Sequence, residues 1–173
     1  IHQGISLTLN RGDRIALVGR NGCGKSSLLK LLIGQPIAHT GTLEIGSRLT
    51  VSYVPQDMSF LSGSADDFAA ESEIDITLFK TILRKLDFKR TQFTKDMSEF
   101  SMGQKKKVLL ARSLCQRANL YIWDEPLNYI DVISRLQIET LILEYKPTML
   151  FVEHDEAFVN DIATKVCRIS LNQ

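Results

Sequence analysis

The residues with the clearest chemical potential form a glycine-rich loop at residues 19–26, with the sequence GRNGCGKS. This sequence follows the pattern G-x-x-x-x-G-K-S. Its glycines let the backbone curl and present N–H groups to a polyphosphate. We therefore expect Lys25 to reach the β- and γ-phosphates of a nucleotide and Ser26 to hold one Mg²⁺ position. The residues expected to bind the nucleotide here are Gly19, Arg20, Asn21, Gly22, Cys23, Gly24, Lys25, Ser26 and Ser27.

The segments on either side of the loop support a phosphate-binding role. Residues 14–18 form a short apolar run that predicts a buried strand, and residues 27–33 predict a helix that Gly34 ends. A glycine-rich turn without a ligand is the alternative. The order of strand, glycine loop and helix favours phosphate binding, because the helix N-terminus adds a positive dipole end. Cys23 lies beside that N-terminus, which predicts a reactive thiol that bound ATP would protect.

Two acidic residues, Asp124 and Glu125, directly follow the apolar run 120–123. A carboxylate at the carboxyl end of a parallel strand is expected beside the phosphate loop. We expect Asp124 to hold Mg²⁺, directly or through water, and Glu125 to act as the general base that deprotonates the attacking water. A solvated acidic pair at a strand end is the alternative, and the presence of the phosphate loop favours the catalytic interpretation.

Two further polar residues, His154 and Gln56, also follow predicted strands. A ring N–H of His154 is expected to hold the γ-phosphate or to stabilise its charge in the transition state. A lone histidine is also common as a structural or solvated residue. The Gln56 amide can contact both Mg²⁺ and water, and a polar turn residue fits the local sequence equally well.

Strands and helices alternate along most of the chain, which predicts an α/β fold with a mostly parallel sheet covered by helices. Residues 1–10 predict a first strand, and residues 42–46 and 49–54 predict a hairpin that adds a small antiparallel β portion. Residues 58–100 carry little strand signal and predict a short helical subdomain inserted within a single domain of residues 1–173. The other predicted elements are helices at 65–71, 76–86, 101–117, 132–145 and 156–163 and strands at 120–123, 148–152 and 166–171.

The bulk properties of the 173-residue chain set limits on its function. The formal net charge of +1 gives no global field that would attract nucleic acid or a membrane surface. No apolar run approaches the roughly twenty residues of a membrane span, so we expect no direct membrane insertion. The three cysteines are far apart and form no disulfide or metal pattern, which suits a reducing compartment such as the cytoplasm. Because the first residue is Ile1, we expect a fragment of a longer chain.

Three consecutive cations, Lys105, Lys106 and Lys107, lie at the start of a predicted helix, where the helix dipole favours acidic residues. An anion at this helix N-terminus would offset the unfavourable placement. A solvated basic face is an equally good interpretation for Lys106 and Lys107.

Residues 99–104, with the sequence EFSMGQ, narrow the class of phosphate-loop protein. Together with Gln56 before them and Asp124, Glu125, Asp131 and His154 after them, they resemble the signature of an ABC-type ATPase domain. The resemblance covers nearly the whole chain and implies the fold of a phosphate-loop NTPase of ABC type, with ATP and Mg²⁺ as its cofactors. It implies an Mg²⁺-dependent ATPase in which Glu125, His154 and Gln56 are catalytic and Ser26, Gln56 and Asp124 bind the metal.

The resemblance also implies a partner, because two such domains are expected to pack head to tail around each ATP. Ser101, Gly103 and Gln104 would then contact the nucleotide bound by the partner domain, and Asp131 would help to join the two sites. Met102 departs from the family pattern, because it replaces the first glycine of the signature pair. The aromatic residue that usually stacks on adenine is not evident, and His2 is a poor candidate for it.

Within this family, the chain looks most like the second ATPase domain of the ABC-F proteins, which include antibiotic-resistance factors that act on the ribosome. The basic run 103–108 and the loop 125–131 carry this resemblance. The motor domain of an ABC membrane transporter, coupled to a membrane domain, is the alternative. A DNA-repair ATPase would need a long coiled-coil arm between Gln56 and Ser101, and about forty-five residues are too few for one.

Overall fold

The computed structural model describes residues 5–169, and the elements within that range alternate between strands and helices. The strands in this range, in chain order, are β1 (Arg14–Val18), β2 (Val51–Val54), β3 (Leu120–Asp124), β4 (Met149–Val152) and β5 (Lys165–Arg168). The α-helices are α1 (Lys25–Leu32), α2 (Ala65–Glu71), α3 (Ile76–Lys85), α4 (Met102–Cys115), α5 (Val132–Tyr145) and α6 (Glu156–Ile162), with short 3₁₀ turns at Arg90–Gln92 and Met97–Glu99. None of the helices in the described range is long and apolar enough to cross a membrane.

The five strands form one sheet in the order β2-β3-β4-β1-β5. β3 pairs with β4, β4 with β1 and β1 with β5, and all three pairs are parallel. Leu17 of β1 and Asp124 of β3 both lie opposite Val152 of β4. This register brings the carboxyl ends of the three strands to the same edge, and it confirms the predicted α/β fold with a parallel sheet.

The chain divides into two compact units, which are described separately. The first comprises Ile1–Tyr53, Ala118–Glu125 and Lys146–Gln173 and contains β1, α1, β3, β4, α6 and β5. Its core is built from the inward-facing residues of these elements, because parallel strands covered by helices are apolar on both faces. The buried members of this core are Ile15, Leu17, Cys23, Leu29, Leu120, Ile122, Leu150, Val152 and Ile169.

The second unit comprises Val54–Arg117 and Pro126–Tyr145 and is helical. Side-chain oxygens cap three of its helices, since Ser64, Asp75 and Ser101 each accept a backbone N–H from the first turn of α2, α3 and α4. Its interior includes the rings of Phe88 and Phe100, whose centroids lie 5.4 Å apart in an edge-on arrangement. The placement of α2 and α3 agrees with the predicted helices, while the limits of a subdomain at residues 58–100 stay a prediction.

Two predicted β segments do not form strands in the described residues. Residues 5–10 of the predicted first strand have no strand structure, although Ile5, Leu7 and Leu9 alternate in burial and pack against the core. Residues 42–46 are also irregular, so the predicted antiparallel hairpin is wrong and only Val51–Val54 forms a strand. The apolar residues of this segment pack poorly against the rest of the chain, since Leu43 and Ile45 are 38% and 47% exposed. A two-stranded hairpin without a buried apolar face has little stability in water.

The contact between β4 and α6 provides a test of the core. Phe158 is fully buried, and its ring meets Phe151 edge-on with the centroids 5.6 Å apart. We expect Phe158→Ala to lower the free energy of unfolding by about 3–5 kcal/mol, because the substitution leaves a cavity. Urea unfolding measures this change. Phe60→Ala is the control, since Phe60 is 53% exposed and its loss is expected to cost about 0.5 kcal/mol or less. Equal losses in the two variants would contradict this assignment of the core.

Candidate nucleotide-binding site

The phosphate loop connects β1 to α1 through backbone conformations that favour glycine. Gly22 and Gly24 have φ angles of +75° and +89°, in the left-handed region where a Cβ atom would cause strain. Gly24 is the N-cap of α1, so the loop leads directly into the first turn of the helix. This geometry leaves the N-terminal end of α1 open to an anion, because the N-cap residue has no side chain there.

Gly19 is needed at the other end of the loop for a different reason. A Cβ atom at this position would collide with the backbone carbonyl oxygen of Ile169 and would lie 2.8 Å from Sγ of Cys23. The backbone of the loop therefore packs directly against the chain that follows β5. Only glycine leaves enough space for this close approach.

Lys25 is the charged group at the centre of the loop. It is 6% exposed, and its Nζ atom donates hydrogen bonds to the carbonyl oxygens of Gly19 at 2.9 Å and Arg20 at 3.2 Å. Among residues 5–169, Lys25 forms no ion pair with a carboxylate. A buried ammonium group without a counter-charge is costly, so the chemistry of this loop fits a phosphate group as the missing anion.

The burial of Cys23 corrects the expectation of a reactive thiol. Cys23 is 1% exposed and belongs to the core of the first unit. Its position in the sequence beside a helix N-terminus suggested reactivity, but a thiol must also be accessible to react. In the described structure, Cys23 instead fills space beneath the loop. Nucleotide binding by Cys23 stays a prediction, and it would involve the backbone N–H of this residue and not its thiol.

Asp124 and Glu125 end β3 at the edge to which β1 and β4 also lead. Asp124 is 1% exposed, and its negative charge acts on Tyr53. Burial, together with the charge of Asp124, raises the pKa of Tyr53 to about 12. Glu125 has a φ angle of +50°, and its backbone N–H donates to the carbonyl oxygen of Val152 at 3.0 Å. This left-handed conformation is uncommon for a residue other than glycine, and it lies directly after β3.

His154 lies close to Glu125, as the parallel order of the strands suggested. Nε2 of His154 is 3.5 Å from Oε1 of Glu125, and their side chains are 48% and 16% exposed. The carboxylate and the imidazole therefore meet at the carboxyl edge of the sheet, within the same unit as the phosphate loop. The neighbouring residue, Glu153, is 5% exposed, and no sequence motif pointed to a role for it. The feature of the sequence that could have indicated its importance is an acidic residue directly after an apolar strand.

The signature segment lies in the second unit at the start of α4. The side chains of Ser101 and Gln104 form a capping box, in which Ser101 Oγ accepts the N–H of Gln104 at 3.3 Å and Gln104 Oε1 accepts the N–H of Ser101 at 2.9 Å. Gly103 has a reason to be glycine within this unit, because a Cβ atom would lie 2.5 Å from the carbonyl oxygen of Tyr129. Met102 is 45% exposed, so its side chain projects from the helix start into solvent.

The lysine triplet is not a solvated basic face. Lys106 and Lys107 are 0% and 8% exposed, so that interpretation is wrong for both. Lys106 donates a hydrogen bond to the carbonyl oxygen of Pro55 at 3.2 Å, and Lys107 forms an ion pair of 2.6 Å with Asp131. The anion that Lys107 requires is therefore a carboxylate of the same unit.

Asp131 joins this ion pair to the start of α5. Its two carboxylate oxygens accept hydrogen bonds of 2.9 Å from the backbone N–H and the hydroxyl of Ser134. Burial by itself disfavours the charged form of Asp131, but the bonds from Lys107 and Ser134 outweigh that effect and lower its pKa to about 2. Asp131 is therefore held within its own unit. The role between two domains that the family resemblance implies stays a prediction.

Two predicted residues cannot be related to this geometry. Gln56 is exposed and belongs to the second unit, while Asp124 and Glu125 belong to the first. Its roles toward Mg²⁺ and water stay predictions. His2, the weak candidate for stacking on adenine, lies outside the described residues.

A comparison with known protein families identifies one match over most of the chain. A family model described as "ABC transporter" matches residues 2–128. The ATP-binding protein YdiF of Bacillus subtilis is 37% identical over 173 residues, which cover 96% of this chain and 26% of that protein. ABC transporter F family member 2 of Arabidopsis thaliana is 30% identical over 170 residues, which cover 95% of this chain and 25% of that protein. The chain thus spans about a quarter of the length of these relatives.

Solved structures with the same fold include proteins of two different functions. The archaeal ribosome recycling factor aABCE1, in a complex with the ribosomal stalk protein aP1, superposes with a TM-score of 0.75 and 27% identity over 92% of this chain and 32% of that one. A metal-chelate type ABC transporter in an inward-facing conformation gives the same TM-score and identity over 97% of this chain and 73% of that one.

The pair of Lys107 and Asp131 provides a test of the signature region. We expect Asp131→Asn to lower the free energy of unfolding at pH 7 by about 1 kcal/mol, since the side chain of Asp131 is 45% exposed and solvent screens the pair. The pKa of Asp131 is lower in the folded chain, so its contribution is full above the unfolded pKa of about 3.9 and is lost as the pH falls toward 2.

Urea unfolding of both proteins between pH 3 and pH 7 measures this effect. The difference between wild type and Asp131→Asn is expected to shrink as the pH falls. Asp161→Asn serves as the control, because Asp161 is an exposed acidic residue of α6. A difference for Asp131→Asn that stays constant over this pH range would rule out the lowered pKa as its origin.

Proposed function

Because this chain belongs to the ABC transporter family, we propose that it is an ATP-hydrolysing domain that pairs head to tail with a second such domain in a cytoplasmic ABC-F protein that acts on the ribosome. The observation that carries the ATPase proposal is the common edge of the parallel sheet. The phosphate loop after β1, Glu125 after β3 and His154 after β4 all lie at that edge. Ligands of open α/β sheets bind at such edges.

The residues of the phosphate loop would bind and orient the nucleotide. The backbone N–H groups of residues 19–26 and the N-terminus of α1 would face the phosphates, and Lys25 would supply a positive charge that no carboxylate of the described residues neutralises. When Mg²⁺ is bound, it offsets phosphate charge, and Ser26, Asp124 and Gln56 would hold it, directly or through water. Hydroxyl, carboxylate and amide oxygens suit a hard cation of this kind.

Glu125 would act as the general base. Its carboxylate takes a proton from a water molecule whose oxygen attacks the γ-phosphorus, and ADP leaves with the electrons of the broken bond. His154 lies 3.5 Å from Glu125 and has a half-exposed ring that can donate an N–H to the γ-phosphate. The two side chains together would supply a base and a hydrogen-bond donor to the reacting group.

A second ABC domain would complete the site. The cap of α4 presents Ser101, Gly103 and Gln104 at a helix N-terminus, and Ser101 is exposed. Such a terminus favours an anion, which the nucleotide of a partner domain would supply. The isolated domain is therefore expected to hydrolyse ATP slowly.

The ribosomal role rests on the relatives and on the sequence pattern of loop 125–131. One relative is an F-family member, and one structural neighbour is a ribosome recycling factor. A role in protecting ribosomes from antibiotics would fit the same group. The motor domain of a membrane transporter is the second candidate, because a transporter structure matches with the same TM-score and identity.

Replacing the general base tests the catalytic assignment. We expect Glu125→Gln to lower the rate of ATP hydrolysis by about 10²–10⁴-fold, since the amide cannot accept the proton. The affinity for ATP is expected to stay close to that of the wild type, because binding depends on Lys25, Ser26 and the loop amides. Phosphate release and the binding of a fluorescent ATP analogue measure the two quantities. Glu144→Gln is the control, since Glu144 is exposed on α5. Unchanged ATP hydrolysis in Glu125→Gln would show that Glu125 is not the general base.

Co-sedimentation with ribosomes tests the biological assignment. The full-length protein carrying Glu125→Gln is expected to pellet with ribosomes when ATP is present and to stay in the supernatant without it, because hydrolysis no longer releases the closed pair. Adding Lys25→Ala is expected to abolish pelleting, since nucleotide binding requires Lys25. Absence of ribosome association, with recovery in a membrane complex, would support the transporter candidate and leave the nucleotide-site proposal in place.

A further inference from the structure

Glu153 is a buried acidic residue to which the proposed mechanism assigns no role. It follows β4 directly, it precedes His154, and its side chain is 5% exposed. Burying a carboxylate is unfavourable unless hydrogen bonds compensate for the lost water. The burial of this carboxylate at the edge of the sheet therefore requires an explanation.

Glu153 accepts hydrogen bonds from the chain that follows it. Its Oε1 atom accepts the backbone N–H of His154 at 2.7 Å and lies 3.4 Å from the backbone N–H of Asp155. Asp155 in turn caps α6, since its Oδ1 atom accepts the N–H of Phe158 at 2.9 Å. One carboxylate oxygen thus organises the turn that carries the chain from β4 into α6.

This turn determines where the imidazole of His154 lies. The side chain of His154 is 48% exposed, so packing restrains it only in part. Its Nε2 atom nevertheless lies 3.5 Å from Oε1 of Glu125. The position of a half-exposed ring therefore depends also on the conformation of its own backbone, whose N–H donates the hydrogen bond of 2.7 Å to Glu153.

We propose that Glu153 is a positioning residue, whose buried carboxylate fixes the backbone of His154 and Asp155 and thereby holds the His154 imidazole beside Glu125. The consequence for ATP hydrolysis rests on the function proposed above. The hydrogen-bonded turn itself does not depend on that function. Glu153 acts through His154 and has no contact with substrate in this role.

Two substitutions distinguish the effect of losing the acceptor oxygen from the effects of changing the charge or the size of the side chain. Glu153→Gln keeps an oxygen that can accept the same N–H groups, so it is expected to behave like the wild type. Glu153→Met keeps the approximate volume and removes the acceptor. Glu156→Gln is the matched control, because Glu156 is an exposed acidic residue three positions further along the chain.

Amide hydrogen exchange of the nucleotide-free full-length protein measures the turn directly. In Glu153→Met, the His154 amide is expected to exchange roughly tenfold faster than in the wild type, because it loses a hydrogen bond. In Glu153→Gln and Glu156→Gln its exchange is expected to be unchanged. Unchanged protection in Glu153→Met, or equal loss in Glu153→Gln, would overturn the proposal.

Steady-state ATP hydrolysis measures the consequence for His154. We expect kcat to fall about 10–100-fold in Glu153→Met, since a misplaced donor weakens the transition state, while the KM for ATP changes by no more than about threefold. A 10–100-fold rise in the KM for ATP with an unchanged kcat would contradict a positioning role. A wild-type protein that hydrolyses no ATP would refute the proposed function instead, and the exchange measurement would still decide the role of Glu153.

A third variant covers the case in which Glu153→Met does not fold, as judged by thermal unfolding. Glu153→Asp keeps the charge but withdraws the oxygens by one methylene. It is expected to lose His154 protection and kcat in the same way as Glu153→Met. Protection and kcat equal to those of the wild type in Glu153→Asp would overturn the proposal.

Discussion

The parallel register of β1, β3 and β4 is the constraint on which the candidate site depends. Leu17 and Asp124 both lie opposite Val152, so the chain leaves all three strands at the same level. The segments that follow these strands, at Gly19, Glu125 and His154, consequently lie at the same edge of the sheet, although the first is more than a hundred residues away from the other two in sequence. Any slip in this register would move the base and the histidine relative to the phosphate loop.

Buried charges are a second determinant of the structure, and three of them have partners of different chemistry. Lys25 uses two backbone carbonyls and leaves its charge available to a phosphate. Lys107 has a complete partner in Asp131, so it stabilises the junction of α4 with the loop before α5. Glu153 accepts N–H groups from the turn that follows it. Since a buried charge without a partner is costly, the chemistry of each partner indicates whether the group binds a ligand or supports the fold.

Glycine residues mark the places where backbones approach one another or adopt left-handed conformations. Gly19 meets the carbonyl of Ile169, and Gly103 meets that of Tyr129, although the two glycines belong to different motifs and different units. In both places glycine allows two backbone segments of the same unit to pack closely. The geometry gives a structural reason for Gly103 that does not require a partner domain.

The sequence by itself was sufficient for the parallel α/β fold, the phosphate loop, most helices and the placement of Glu125 and His154 at one edge of the sheet, because strand and helix periodicity and the residues at strand ends can be read from the local sequence. It did not reveal that Cys23 is buried, that Lys107 pairs with Asp131, that residues 42–46 form no strand, or that Glu153 holds the turn before α6. Those features depend on which distant atoms surround each side chain. Burial, ion pairing and strand formation are decided by neighbours that only tertiary packing provides.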